Sequence, residues 1–264
     1  MTMPDLAQTN IQLVREMVAA GWTDDDLLRL RTAYELDMWA FSGQYRANGK
    51  TQLAHHVGTA SALLRSGARP ALVIAGLAHS LYFLGEFGTG RRGPHAEKRA
   101  VLRPVLGAEV EQLVLEYTAF PWDRAAVERM TTEAATATDE RRDVVAMRVA
   151  NEVDEWADAA MRFSHELHAH DLGDAEGLDA VVAIADAHGL SALGALLREV
   201  ATAGVAMRVP DVLVSVEEHT VFVPPASYRR RLHVALQDSR VGHGVAARVP
   251  GARRAAGWVR AKLG

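Results

Sequence analysis

Three histidines carry the chemistry that this sequence offers most plainly. His55 and His56 lie on one apolar segment and His79 on the next, with a short turn ending in Gly67 between them. Two packed helices bring such imidazoles to a common point, where they suit metal ligation or general acid–base catalysis near neutral pH. His55, His79 and Asn151 are the candidate catalytic residues. Ser80, Tyr82, Tyr45, Arg46, His56 and Asp154 are the candidate substrate contacts. In a metal-free pocket Ser80 and Asn151 would donate hydrogen bonds to a substrate oxyanion. If a metal binds, His55 and His79 would hold it together with Asp154 or Glu86.

The chain contains no cysteine, which excludes disulfides, thiolate zinc sites, iron–sulfur clusters and cysteine nucleophiles. Any metal must sit on nitrogen and oxygen ligands. There is no Gly-rich phosphate loop, dinucleotide fingerprint or Gly-x-Ser-x-Gly elbow. A second cluster, His165, His168, His170 and Asp171, reads as capping of a helix C-terminus. Arg91 and Arg92 read as a solvated loop, and Trp122, Trp156 and Trp258 as core or interface residues.

The elements that must position these groups read as helices. Apolar residues recur at helical spacing over most of the first two hundred positions. Helices are expected at 9–20, from a Thr23 cap to 42, at 51–65, and from Pro70 to 86. The next, from about 95, is disturbed by Pro104; another covers 107–117. Residues 120–139 look irregular, with one short helix. A long helix is expected over 141–168, then two shorter ones near Leu178 and Leu190. Residues 212–223 are the one β candidate, a small hairpin around Glu217-Glu218. On the fourth helix Tyr82, Phe83 and Glu86 would share the face of His79; on the long one Asp154, Glu155 and Asp158 would share that of Asn151. The fold class is therefore all-α. Residues 1–205 form one helical domain, and 206–264 a C-terminal extension.

The stretch His55-His56-Val57-Gly58-Thr59, the turn Arg65-Ser66-Gly67, and Ala75-Gly76-Leu77-Ala78-His79-Ser80 together resemble the core of the HD-domain superfamily. The segment 107–114 is similar to the helix after the metal pair in stringent-response nucleotide hydrolases of that superfamily. Met147-Arg148-Val149-Ala150-Asn151 is similar to the helix that supplies the distal Asp. The resemblance spans about residues 45–160. It implies an HD-like helical fold, a pocket around His55 and His79, and hydrolysis of an anionic or phosphorylated metabolite. It also implies one or two divalent metals (manganese, iron, zinc or nickel). Here, however, Ser80 stands where the paired Asp belongs and Asn151 where the distal Asp belongs. A neutral set of this kind disfavours a divalent cation and points to metal-independent acid–base catalysis. His79-Ser80-Leu81-Tyr82 also resembles a branch of HD-like proteins that reads His-Ser-x-Tyr.

Two rivals stay open. One is an iron oxygenase, as in the inositol oxygenase branch, although only His95 lies where its extra histidines would be needed. The other is a non-catalytic binding or regulatory protein with a decayed metal site. The expected partner is a small-molecule substrate, with a homodimer as an open expectation. The most apolar stretch, 71–85, is too short to span a bilayer, and the N-terminus has no signal-peptide pattern, so a cytoplasmic protein without a membrane is expected. From Tyr228 onward nine Lys/Arg face one Asp within a chain of net charge −4. This basic segment is expected to pack on the acidic body or a second subunit rather than on nucleic acid.

Overall fold

The computed structural model describes residues 5–88, 91–159, 162–163, 172–215 and 221–223. Ten α-helices and one two-stranded antiparallel sheet make it an all-α structure among these residues. Threonine caps start several of the helices. Thr9 closes a capping box with Gln12 at α1 (Asn10–Ala19), and Thr23 caps α2 (Asp24–Phe41), whose first turn carries three aspartates. Thr51 caps α3 (Gln52–Arg65), and Thr138 caps α8 (Asp139–Ala157). Pro70 opens α4 (Pro70–Ala78), where its missing N–H costs least.

The remaining helices are α5 (Ala96–Leu106), α6 (Ala108–Ala119), α7 (Arg124–Glu133), α9 (Ala175–Ala187) and α10 (Ser191–Ala206). The helix α8 packs on α3 and α10, α3 on α4, and α4 on α2 and α6. α4 is buried along almost its entire length, as an apolar helix surrounded by others must be. No helix among the described residues is long and apolar enough to cross a membrane.

Two glycines set the closeness of this packing. A Cβ on Gly58 of α3 would stand 1.7 Å from Oδ1 of Asp154 on α8. On Gly76 of α4 it would stand 2.3 Å from Cδ1 of Leu63 on α3. Helices α3, α4 and α8 thus meet at distances only glycine permits, and the three histidines lie at that junction.

Two expectations need correction. α4 stops at Ala78 rather than running to Glu86. His79 ends it, its Nδ1 donating at 2.7 Å to the carbonyl of Gly76, one of the acceptors a helix end leaves open. Residues 79–84 continue as turns, so Tyr82, Phe83 and Glu86 do not share a helical face with His79. α8 ends at Ala157, followed by Ala159 at a positive φ of 50°. A small antiparallel element is present as expected, with β2 (Val221–Phe222) paired to β1 (Gln44–Tyr45), far back in the chain. Glu217-Glu218, the His165 cluster and the basic segment from Tyr228 lie outside the described residues.

Candidate active-site pocket

A cleft of about 320 Å³ opens where α3, the end of α4, α6 and α8 converge. Its wall includes His55, His79, Ser80 and Asn151, the residues singled out by type and spacing, together with Arg46. α8 contributes Arg148, Asn151, Glu152 and Glu155, which recur at helical spacing and so share one face.

His55 is the best-supported group. Its Nδ1 lies 2.7 Å from Oδ2 of Asp154 and its Nε2 lies 3.0 Å from Oδ1 of Asn151. Burial, reinforced by the charge of Arg46, holds its pKa well below the usual imidazole value, so the ring is neutral. Nδ1–H then donates to Asp154, and Nε2 keeps a lone pair that hydrogen-bonds Asn151 only when the amide turns its NH2 rather than its oxygen toward the ring. Asp154 is anchored in turn: Lys50 Nζ donates to both its oxygens at 2.8 and 2.9 Å, and Gln8 to one at 3.4 Å. Burial opposes the charge on Lys50, but Asp154 and Asp158 outweigh it and raise its pKa. The result is an imidazole oriented by a carboxylate that a buried lysine anchors in turn.

His79 stands beside it, ring centroids 5.2 Å apart. With Nδ1–H committed to Gly76, its Nε2 is also unprotonated, and burial together with His56 lowers its pKa well below normal. Tyr117 packs on the other side of His79 at 5.0 Å, and its hydroxyl donates at 3.4 Å to the oxygen of Asn151. Its pKa is raised chiefly by burial. Arg148 covers the Tyr117 ring at 3.8 Å, and its Nη2 donates to the carbonyls of Tyr117 and Phe120. Arg46 pairs with Glu155, a buried carboxylate whose pKa burial raises to about 7.

Other expected contacts lie elsewhere. His56 is fully buried behind the wall; its Nδ1 meets Asp37 at 2.8 Å and its ring packs on His79 at 4.9 Å. Tyr82 turns away, its hydroxyl donating to Glu111 at 2.6 Å. Tyr45 belongs to the small sheet and is also bridged to Thr51. Asp154 lies behind His55 and does not line the cleft. Glu86 is exposed and lies off the wall, as do the exposed Arg91 and Arg92. His95 caps α5. Of the tryptophans, Trp156 is core, whereas Trp122 donates at 3.0 Å to Glu152 of the cleft.

The donor set does not fit a divalent cation. The best-placed carboxylate, Asp154, is already shared among Lys50, His55 and Gln8, while Ser80 and Asn151 bring no charge. Arg46 and Lys50 both act electrostatically on His55, against a neighbouring cation. Among the described residues no group of three or more His, Asp or Glu side chains is placed to hold a metal ion.

Residues 40–122 match a protein family described as Domain of unknown function (DUF6817). The matched part carries His55, His79, Ser80 and Tyr117 but stops short of α8. Among curated proteins, none matches the chain.

Arg148, Tyr117, Glu152 and Glu155 were not assigned roles from type and spacing. Positions one helical turn on either side of Asn151 are the signal that finds Arg148 and Glu155, while Glu152 is its neighbour in sequence. Nothing in the local pattern marks Tyr117.

Proposed function

We propose that this chain is a small-molecule enzyme working by metal-independent acid–base catalysis in an HD-like helical pocket, with hydrolysis as its default reaction. The observation that carries this reading is the His55–Asp154 pair at 2.7 Å beside a polar cleft. A neutral imidazole fixed by a carboxylate is a general base with a defined tautomer. Nε2 of His55 takes a proton from water as the water oxygen bonds to the electrophilic centre. The imidazolium so formed is stabilised by Asp154 and returns the proton to the leaving group. Ser80 and Asn151 donate to the developing oxyanion, and His79 offers Nε2 as a second acceptor that orients the water.

The test is a panel of carboxylate and phosphate esters assayed with chelator-treated full-length protein. Turnover should survive the chelator and fall at least 10²-fold in His55→Ala. Turnover abolished by the chelator and restored by manganese or zinc would overturn the metal-free mechanism. Full turnover in both His55→Ala and His79→Ala would remove the pocket assignment.

One observation favours a non-catalytic binding protein instead. The Asn151 side chain stands 3.0 Å from Nε2 of His55, so the resting base is covered. On that reading ligands stabilise the fold against heat, yet no ester of the panel is turned over.

A further inference from the structure

Resting on the acid–base reading of the pocket, we propose that Arg46 and Arg148 receive an oxyanion of the substrate, a carboxylate or phosphoryl group. In the resting protein the carboxylate of Glu155 stands in for that group on Arg46.

Arg148 is the clearest indication. Its guanidinium is held over the Tyr117 ring at 3.8 Å, and Nη2 is fixed by two backbone carbonyls at 2.8 and 2.9 Å. Those acceptors are neutral, and among the described residues no carboxylate pairs with Arg148. Its Nε is buried without an acceptor. A guanidinium costs free energy to desolvate and normally recovers it by pairing with an anion. One that is oriented, half-buried and without a counter-ion on the wall of a cleft is arranged for a ligand to complete.

Arg46 approaches the same space from a different element. It lies in the turn after β1, where its amide donates to Lys50 and its carbonyl accepts from Gly49. Both guanidinium groups act electrostatically on His79 and on Tyr117, so both charges bear on one region of the cleft. Arg46 is occupied by Glu155, but the pair is only half made. One carboxylate oxygen meets the guanidinium, while Oε2 is buried and has no partner. An incoming carboxylate or phosphoryl oxygen gives Arg46 the contact Glu155 now gives. Glu155 is thus the internal competitor of the ligand, and its removal should favour binding. A purely structural ion pair predicts the opposite.

The test titrates the full-length protein with inorganic phosphate at low ionic strength in a cationic buffer, read by calorimetry. Wild type should bind saturably. Arg46→Gln and Arg148→Gln should each weaken binding at least tenfold, and Glu155→Gln should tighten it several-fold. Arg148→Lys covers the case in which Arg148→Gln fails to fold; losing the fork while keeping the charge, it should also bind more weakly. Acetate is titrated in competition: displacement supports a carboxylate-accepting site, and phosphate binding untouched by acetate supports a phosphoryl one. Unchanged affinity in Arg46→Gln and Arg148→Lys, weaker binding in Glu155→Gln, or no saturable binding to wild type would overturn the proposal. His55→Ala keeps the oxyanion site intact, so it should bind phosphate as wild type does even though turnover is lost. Full turnover in that variant removes the catalytic reading and leaves the phosphate result standing.

Discussion

Nδ1 of His55 and Oδ2 of Asp154 lie 2.7 Å apart and belong to helices α3 and α8, ninety-nine positions distant in the chain. The carboxylate fixes which nitrogen of the ring carries the proton, and it would stabilise the imidazolium formed during reaction. Asp154→Asn keeps the shape but lets the amide donate to Nδ1, which favours the wrong tautomer. The expected loss is about 10²- to 10⁴-fold in kcat with little change in KM. Lys50 retains Asp158 as a partner, so the fold should survive. A variant with wild-type kcat would remove the dyad from the mechanism.

Gly58 makes that pair possible. A Cβ there would lie 1.7 Å from Oδ1 and 2.6 Å from Cγ of Asp154, so alanine must push the carboxylate off His55. Gly58→Ala should therefore cost about 1–3 kcal/mol in denaturant unfolding and reproduce the kinetic defect of Asp154→Asn. Gly76→Ala meets only the flexible end of Leu63 at comparable closeness. It should lower stability by a similar amount while keeping most of the activity. Equal activity in the two variants would contradict this division.

The sequence shows the helical frame because its boundaries are chemical. Thr9, Thr23, Thr51 and Pro70 start helices for reasons local to each residue. The end of α4 is less legible, since the apolar run continues through Leu81 while the imidazole of His79 takes the Gly76 carbonyl. The partner of β2 is equally hidden, because β1 lies far back in the chain. In the site, His55, His79, Ser80, Asn151 and Arg46 were readable, for two helices and one motif carry most of them. The roles of Asp154 and Glu155 were not. They are adjacent in sequence, yet one faces the back of His55 and the other the cleft, a division set by how α3 crosses α8.

Behind the pocket, His56 and Asp37 form a fully buried pair at 2.8 Å, leaving Nε2 of one and Oδ1 of the other without partners. Burial lowers the His56 pKa to about 3 and raises that of Asp37. Between pH 6.5 and 3 the unfolded chain binds a proton at His56 that the folded one refuses, so this contribution to stability is lost as pH falls through that window. Asp37 works in the other direction, its contribution being lost as pH rises above 3.8. His56→Gln, which keeps a donor for Asp37, should flatten the acid limb between pH 6.5 and 4 in urea unfolding. Asp37→Ala should cost about 1–3 kcal/mol by leaving the buried Nδ1 of His56 without a partner. An unchanged acid limb in His56→Gln would mean that His56 titrates normally.

Glu155 gives the opposite slope nearer to neutrality. Its pKa is raised from 4.5 to about 7, chiefly by burial and against the pull of Arg46. Across that interval the folded state keeps a proton the unfolded state has released. The stabilising contribution is therefore complete below pH 4.5 and is lost as pH climbs to about 7. The loss is on the order of 3 kcal/mol. Glu155→Gln removes the titration, so its stability relative to wild type should rise steadily between pH 4.5 and about 7 and then level off. Denaturant unfolding of both proteins at unit pH intervals measures that difference. A difference independent of pH would show that the Arg46–Glu155 pair stays ionised throughout, and the carboxylate would then compete with a ligand anion at every pH tested.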